Sequence, residues 1–324
     1  MSTTCWFGRA ALTLFFAVSC FGQVPAAKPK PAPVRYRSRI SVYDVKAKSV
    51  QVVYTAETSF EAPNWSRDGK FLLVNSGGSL YRLPLNTSGA PALEKIDVGE
   101  GYSCNNDHDI SKDGKRIAFS ASTPAARTSQ VFVANIDGSG VRQITPKGPS
   151  YFHGWSPDGL WLTFVANRGV SYDVYRVLSA GGEEQQLTSD PAYDDGSEYS
   201  PDGKWIYFNS NRGGGWNIWR LPPDGAGPKD AKAEQVTSDE QEDWFPHVAP
   251  NGKSIVFLSF PPGTANHGGR MNIQLRMISA PGGKVKPAKI ETLLKIFGGQ
   301  GTINVNSWSP DSKKFAFVSY EVLQ

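Results

Sequence analysis

The chain has 324 residues, of which 39% are hydrophobic and 12% aromatic, and this much apolar material excludes an intrinsically disordered protein. Its 34 basic and 30 acidic side chains are well mixed and leave a formal net charge of +4, so no stretch is basic enough to predict nucleic acid as a partner. The 33 glycines and 23 prolines indicate many turns but exclude a collagen-like or low-complexity chain.

The first predicted element is an export signal. Arg9 supplies a positive charge, and an apolar run follows from residue 10 to residue 22. That run is shorter than the about 20 residues that a membrane-spanning helix needs, so residues 1–22 are predicted to be a signal peptide. The stretch Ala17-Val18-Ser19-Cys20 also resembles a lipoprotein signal, in which Cys20 would carry a lipid anchor. Both alternatives predict a protein that is periplasmic or otherwise exported and whose membrane contact is limited to that anchor.

The second predicted element is an extended spacer over residues 23–35, which are rich in Pro, Ala and Lys. Cys5 and Cys20 lie in the signal, so an ordinarily cleaved chain keeps Cys104 alone. A single thiol excludes an intramolecular disulfide. The folded part must therefore be stabilised by its own hydrophobic core.

The rest of the chain contains six copies of a short segment in which a large apolar residue precedes a Ser-Pro-Asp-Gly-Lys pattern. The Asp position holds Asp or Asn in every copy and occurs at positions 68, 113, 158, 202, 251 and 311. Ser and Asp side chains bind the local backbone, Pro fixes φ, and Gly accepts a left-handed conformation. Each segment therefore predicts a β-turn. The segments are 65–70, 110–115, 155–160, 199–204, 248–253 and 308–313.

Each turn is predicted to join two strands, and two further strands follow before the next turn. In the third copy the strands after the turn are residues 162–165, 174–177 and 185–188, all rich in β-branched, aromatic or apolar residues. Four strands in a unit of about 45 residues is the period of a propeller blade. The sequence therefore predicts an all-β fold, a six-bladed β-propeller of four-stranded blades over residues 36–324.

The sixth copy, at residues 303–321, has room for only two strands. The missing outer pair is predicted at the other end of the propeller, in residues 39–44 and 49–54. Pairing of these N-terminal strands with the last blade would leave no open sheet edge at the seam. The sequence thus predicts a ring whose last blade is closed by its N-terminal strands.

The repeated pattern is similar to the WD40-like PD40 repeat of the TolB propeller, and residues 62–70 match it closely. The resemblance covers residues 36–324 and implies a single-propeller, exported member of the TolB-like family. TolB itself carries an α/β domain ahead of its propeller, where this chain has only the spacer. The same repeat occurs in oligogalacturonate lyases, which hold a metal with His and Gln at the propeller centre. It also occurs in prolyl-oligopeptidase relatives, whose Gly-x-Ser-x-Gly motif this chain lacks.

Candidate functional residues lie four and five positions before each turn residue, where the innermost strands approach the channel mouth. Three of the four histidines, His108, His153 and His247, occupy such positions, as does Glu198. These four are the candidate catalytic residues, and the three histidines are the candidate ligands of a divalent metal. Polar side chains that only fill the channel are the alternative interpretation.

A second group of candidates is predicted to bind a ligand at the same mouth. Trp244, like Trp216, follows or lies within a turn, where it is expected either to be exposed and stack on a ligand or to pack between blades. His267 lies in the Gly-rich insertion over residues 261–270, which is expected either to cover the ring or, as the favoured interpretation, to have no role. The ligand-binding candidates are Asp109, Asp194, Asp195, Asp243, Trp244, Gln300, Asn304 and Asn306.

Two functions are compatible with these patterns. The first is a monomeric, non-catalytic module of the cell envelope that binds a protein or a carbohydrate and requires no cofactor. The second is a carbohydrate-active lyase or hydrolase, assisted by a divalent metal, in which His108, His153, His247 or Glu198 transfers the proton. In that enzyme Gln300 or Asn304 would orient the substrate.

Overall fold

The computed structural model describes residues 1–3, 34–85, 89, 91–286 and 288–323. The predicted signal peptide and spacer lie outside these residues, apart from positions 1–3, 34 and 35, so Cys20 is among the undescribed positions. Within the described residues, no helix has the length and apolar character needed to cross a bilayer. The first strand begins at Arg35.

The predicted turns form as hydrogen-bonded units. In the first turn Ser66 Oγ donates to Asp68 Oδ1 at 2.8 Å and accepts the backbone N–H of Phe71 at 3.0 Å. Asp68 Oδ1 also accepts the N–H of Lys70 at 3.1 Å. The same contacts recur around Ser200 and Asp202. Because these side chains satisfy the local backbone, each turn sets the register of the strand pair on either side.

The strands form six antiparallel sheets, numbered here as blades I to VI. The two N-terminal strands, which belong to blade VI, are β1 (Arg35–Asp44) and β2 (Ser49–Ala56). Blade I contains β3 (Glu61–Trp65), β4 (Phe71–Ser76), β5 (Ser79–Pro84) and β6 (Glu94–Ile96). Blade II contains β7 (Ser103–Ile110), β8 (Arg116–Ser122), β9 (Gln130–Asn135) and β10 (Arg142–Gln143). Blade III contains β11 (Ser150–Trp155), β12 (Trp161–Asn167), β13 (Tyr172–Leu178) and β14 (Gln185–Gln186).

The remaining strands complete the ring. Blade IV contains β15 (Asp194–Tyr199), β16 (Ile206–Ser210), β17 (Asn217–Leu221) and β18 (Glu234–Gln235). Blade V contains β19 (Glu242–Val248), β20 (Ser254–Phe260), β21 (Met271–Ser279) and β22 (Glu291–Gly298). The last strand, β23 (Lys314–Leu323), belongs to blade VI. Two short 3-10 helices, Pro228–Asp230 and Gln300–Thr302, lie in connections.

Blade VI confirms the predicted closure. Strand β1 pairs with β23 from Arg35 opposite Leu323 to Asp44 opposite Lys314, and β2 pairs with the other edge of β1. Ten paired positions join the two ends of the propeller, so the ring is closed by backbone hydrogen bonds.

The predicted innermost strand of blade VI is reduced to a single bridge between Trp308 and Phe315. The physical reason is local. The N–H of Trp308 donates to the side chain of Asn306 at 3.1 Å instead of to a neighbouring strand. The 3-10 helix Gln300–Thr302 also occupies part of the chain that leads to this position.

The first strands of the blades lie innermost and contact one another around the axis: β3 meets β7, β7 meets β11, β11 meets β15, and β15 meets β19. The apolar core fills the space between blades. One cluster, for example, joins Ala118 and Val131 of blade II to Phe152 and Phe164 of blade III. Sheet packing thus leaves the axis to the polar side chains of the first strands.

A β-bulge interrupts all five regular first strands. In three of them the residue six positions before the turn residue has a positive φ: Ala62 at 54°, Gly196 at 63° and Phe245 at 55°. A bulge places two residues opposite one, so the strict alternation of side chains between faces stops there. Consecutive polar residues that follow the bulge can therefore both lie among the inner strands.

Candidate functional site

The residues around the axis form two groups at different heights. The inner ring, which lies close to the turns, consists of Asn64, Asp109, Glu198, His247 and Asn306. The mouth cluster lies nearer the start of the first strands and consists of Asp107, His153, Asp195, His267 and Asn304. Their side chains come from separate blades and from the loop after β20, so they are far apart in sequence.

His247 and Glu198 link blades V and IV in the inner ring. His247 Nδ1 lies 2.6 Å from Glu198 Oε2, and Nε2 binds the carbonyl oxygen of Ile303. Glu198 Oε1 accepts the side-chain amide of Asn306 at 2.6 Å. Both ring nitrogens of His247 are therefore engaged by oxygen atoms of the fold, one from Glu198 and one from Ile303. Neither ring nitrogen is left for a ligand.

Asn64 and Asp109 link blades I and II in the same ring. Asn64 Nδ2 donates to Asp109 Oδ1 at 2.7 Å, and its Oδ1 accepts the N–H of Ile110 at 3.2 Å. The guanidinium of Arg67 also donates to Asp109 Oδ1 at 2.8 Å. Asp109 is therefore engaged by the neighbouring blade.

His108 lies between blades I and II and is completely buried. Its Nε2 lies 2.8 Å from the carbonyl oxygen of Ala62. Burial lowers the pKa of His108 to about 4, so the ring is neutral near pH 7 and Nε2 donates to that carbonyl. His108 thus connects blade II to the bulge of β3 in blade I.

The mouth cluster contains a carboxylate between two imidazoles. His153 Nε2 lies 2.9 Å from Asp195 Oδ1, and His267 Nε2 lies 3.4 Å from Asp195 Oδ2. Burial alone would raise the pKa of Asp195, but the hydrogen bonds from His153 and His267 outweigh burial and hold that pKa below its usual range. Burial likewise disfavours the charged form of His153, yet its bond to Asp195 and the surrounding carboxylates raise its pKa overall.

Asp107 adds a second carboxyl group to the mouth cluster. Its Oδ1 accepts the side-chain amide of Asn304 at 2.6 Å, and its Oδ2 accepts that of Asn105 at 2.6 Å. Burial raises the pKa of Asp107, although His153 and Asn304 oppose the shift. Two neighbouring carboxyl groups, Asp107 and Asp195, thus have pKa values displaced in opposite directions.

A cavity of about 330 Å³, named here the mouth pocket, opens beside this cluster. It gathers residues from blades I, II and VI and from the loop after β20. Arg270 closes one side, with its guanidinium 4.0 Å from the ring centre of Tyr320 and 3.4 Å from Glu61 Oε1. The pocket is lined by Tyr36, Glu61, Asn106, His267, Gly269, Arg270, Gly299, Gln300, Gly301 and Tyr320.

Of the eight predicted ligand-binding residues, Gln300 alone lines this pocket, and three of the others are held by contacts elsewhere in the fold. Arg212 Nη2 donates to both carboxylate oxygens of Asp194, at 2.9 and 2.7 Å. Asp243 binds Arg276 at 2.6 Å, so both carboxylates have a cationic partner within the fold. Trp244 is fully buried, with its ring centre 3.8 Å from that of Trp216. The alternative of an exposed Trp216 or Trp244 is wrong, because the two indoles pack against each other.

The comparisons with known proteins agree with this architecture. Residues 153–280 match the family model PD40, the TolB beta propeller domain. The chain is 42% identical over 284 residues to the uncharacterised protein Atu1656 of Agrobacterium fabrum, and the match covers 88% of this chain and 92% of that protein. A solved structure from Agrobacterium tumefaciens, described as a candidate TolB, has 41% identity and a TM-score of 0.82, covering 89% of this chain and 99% of that one.

The chain belongs to the TolB-like β-propeller family. This TolB-like propeller is also similar to an oligogalacturonate lyase in complex with manganese, with a TM-score of 0.50 and 13% identity over 83% of this chain and 75% of that one. At so low an identity the likeness shows the shared fold alone.

The metal-ligand set predicted for the TolB-like propeller does not fit the geometry. His108 and His247 bind backbone carbonyl oxygens, and His153 binds Asp195, so the three histidines have separate partners. Among the described residues, no three His, Cys, Asp or Glu side chains are grouped so that they could hold a metal ion. A divalent metal at the mouth stays a prediction, and the described residues offer no group of ligands for it.

His267 is the mouth residue that sequence reasoning missed. It contacts Asp195, and its ring centre lies 4.7 Å from that of Trp244. The signal available was weak: a single histidine among glycines, in a blade that is longer than the others. The path of that loop across the mouth depends on tertiary contacts, which the repeat pattern does not encode.

Proposed function

We propose that this TolB-like propeller is an exported, non-catalytic module of the cell envelope that binds a protein or carbohydrate ligand at the mouth pocket. The observation that carries the proposal is the pocket itself. It collects side chains from separate blades, and the Gln300 side chain in it has no hydrogen bond to any described residue. Unused hydrogen-bonding capacity in a concave site is typical of ligand recognition.

The inner ring supports a binding role over catalysis. A general acid or base must reach the reacting atom, directly or through one water. Glu198, His247 and Asp109 are buried and bound to neighbouring blades, so they hold the ring together. The predicted proton-transfer group His153 is also buried and bound to Asp195.

The cellular location in this proposal comes from the predicted signal peptide over residues 1–22. The protein would work in the periplasm as a monomer, and a lipid on Cys20 would provide its membrane contact. A propeller held by an extended spacer can reach ligands in the envelope without inserting into the bilayer.

Binding to isolated cell envelopes of the source bacterium tests the proposal. The purified protein is expected to co-sediment with envelopes, and Gln300→Leu is expected to reduce the bound fraction severalfold. Gln51→Leu is the matched control, because Gln51 is an exposed side chain on the outermost strand β2. Absence of co-sedimentation, or equal loss in both variants, would contradict the proposal.

A carbohydrate-active enzyme is the second candidate function. One observation favours it: the pKa of Asp107 is raised, whereas the pKa of Asp195 is lowered. Such displaced pairs are typical of acid–base catalysis. Release of reducing ends or unsaturated uronates from envelope polysaccharides, lost in Asp107→Asn, would establish this function. Envelope binding without any product would favour the binding module.

A further inference from the structure

The loop after β20 crosses the mouth and is fixed at several points. The N–H of Gly263 donates to Glu242 at 2.8 Å, and the indole of Trp216 donates to the carbonyl oxygen of Ala265 at 3.0 Å. At its far end Arg270 donates to Ser59 Oγ at 3.0 Å. The loop therefore runs from blade V to the start of blade I and forms one wall of the mouth pocket.

Glycine backbones make the pocket narrow. A Cβ atom on Gly299 would lie 2.5 Å from the carbonyl oxygen of Gly269, and one on Gly301 would lie 2.6 Å from Cγ of Glu61. The volume of about 330 Å³ is at the small end of the range for small-molecule sites. A stable protein partner needs about 800 Å² of surface on each side, which a recess of this size does not offer.

The charges around the pocket are internally paired. Glu61 faces Arg270, Asp195 faces His153, and Asp107 is held by two neutral amides. Of these carboxyl groups Glu61 lines the pocket, together with Arg270. An anionic ligand would compete with Glu61 for Arg270, and a cationic ligand would compete with Arg270 for Glu61. This balance favours a ligand without net charge.

An unpaired polar atom borders the same space. His267 lines the pocket, and its Nδ1 is buried without a hydrogen-bond partner among the residues that the structure describes. The side-chain amide of Gln300 can both donate and accept. Hydroxyl groups do the same, so a polyhydroxylated molecule can satisfy this mixed set of groups.

We infer that the mouth pocket binds an uncharged sugar ring, the ligand class of the site in the proposed function. Gln300, Asn106 and the glycine backbone would hydrogen-bond its hydroxyls, and the loop over residues 261–270 would cover it. The inference rests on the proposed function and narrows it from protein or carbohydrate to a single neutral sugar unit.

Isothermal titration with a fixed panel tests the inference on the exported chain from residue 23. The neutral probes are D-glucose, D-galactose, D-mannose and N-acetyl-D-glucosamine, and the charged probes are D-galacturonate and D-glucosamine. At least one neutral sugar is expected to bind more tightly than both charged ones. Gln300→Leu is expected to weaken that binding about tenfold, the effect of one lost hydrogen bond, while Gln51→Leu leaves it unchanged.

Three outcomes would overturn the inference: no binding of any neutral sugar, tighter binding of a charged one, or equal affinity for wild type and Gln300→Leu. The envelope assay separates this failure from that of the proposed function. If envelope binding depends on Gln300 but persists in the presence of saturating neutral sugar, the inferred sugar ligand would be refuted and the proposed function would stand. Loss of envelope binding in the wild type would refute the proposed function.

Discussion

Arg212 pairs with two buried carboxylates of blade IV, Asp194 and Asp230. It lies 2.7 Å from Asp194 Oδ2 and 3.1 Å from Asp230 Oδ2, and all three side chains are at least nine-tenths buried. Removing one partner of a buried ion pair leaves the other charge without compensation. The fold therefore depends on this arginine more than on any exposed ion pair.

The variant Arg212→Met is expected to lower the free energy of unfolding by about 3–5 kcal/mol, measured by urea denaturation at pH 7. The control is Lys204→Met, since Lys204 pairs with Asp202 at 3.4 Å on the surface, where both side chains are more than half exposed. Lys204→Met is expected to lower the free energy of unfolding by less than about 1 kcal/mol. Equal losses in the two variants would show that the buried ion pairs of Arg212 do not contribute the stability assigned to them.

Asp173 gives a pH prediction at the same scale. Burial, with Asp194 and Asp230 nearby, raises its pKa to about 7. The unfolded value is about 3.9, so the folded state binds a proton that the unfolded state releases between about pH 4 and pH 7. This group's contribution to stability is therefore complete below about pH 4 and is lost as the pH rises toward 7.

The variant Asp173→Asn cannot ionise and keeps an oxygen for Gln186, which donates to Asp173 Oδ2 at 3.1 Å. Relative to wild type, its free energy of unfolding is expected to be higher by about 2–4 kcal/mol at pH 8 and unchanged at pH 4. Urea denaturation at the two pH values measures both differences. A stabilisation of the same size at pH 4 and pH 8 would contradict the ionisation argument.

Individual residues also show where sequence reasoning stops. The positions of His108, His153 and His247 in the innermost strands followed from their distance to the turns, and the structure places all three among buried inner strands. Their partners did not follow, because whether His153 contacts Asp195 or a backbone carbonyl depends on the bulge and on the neighbouring blade. His267 was missed because no repeat position corresponds to it.

At the scale of the element, the bulge in each first strand determines which side chains reach the axis. In β15 the bulge contains Gly196, whose φ is 63°. A Cβ atom on Gly196 would lie 2.4 Å from Asn209 Oδ1. Asn209 cannot easily move, because Oδ1 accepts the N–H of Phe245 at 3.0 Å. Both the backbone conformation and the packing therefore require glycine at this position.

The variant Gly196→Ala is expected to lower the free energy of unfolding by about 2–4 kcal/mol, because the strain of the left-handed backbone and the overpacking of the added methyl group are additive. Gly252→Ala is the matched control: Gly252 has φ of 70°, but no neighbouring atom lies within 4 Å of the methyl group that alanine would add, so only the strain of about 1 kcal/mol remains. Thermal or urea denaturation gives both values. A difference below about 0.5 kcal/mol between the variants would show that the bulge tolerates a side chain.

The elements themselves were largely predictable, since the repeated turn specifies two strands and the spacing specifies two more. The exception is the inner strand of blade VI, which is reduced to the bridge between Trp308 and Phe315. The turn at residues 309–312 forms as predicted, with Ser309 Oγ donating to Asp311 Oδ1 at 2.7 Å. A turn pattern predicts the chain reversal but not how far the strand before it extends.

At the scale of the whole molecule, the mouth pocket exists only because the ring closes. Tyr36 of β1 and Tyr320 of β23 line it together with residues of blades I and II. The pairing of β1 with β23 brings these positions together from opposite ends of the propeller. The six-fold repeat and the leftover N-terminal strands predicted this closure, whereas the pocket depends on side chains that the repeat leaves variable.

A disulfide across the seam measures that closure directly. Arg39 and Ser319 are paired across β1 and β23, and paired Cα atoms in antiparallel strands are about 4.5–5.5 Å apart, within reach of a disulfide. Cys104 should not compete, because burial raises its pKa to about 12. In the chain from residue 23 carrying Arg39→Cys and Ser319→Cys, peptide mapping is expected to find the two positions linked within one molecule, with a higher melting temperature than after reduction. Free thiols at both positions, or links only between molecules, would contradict the closed ring.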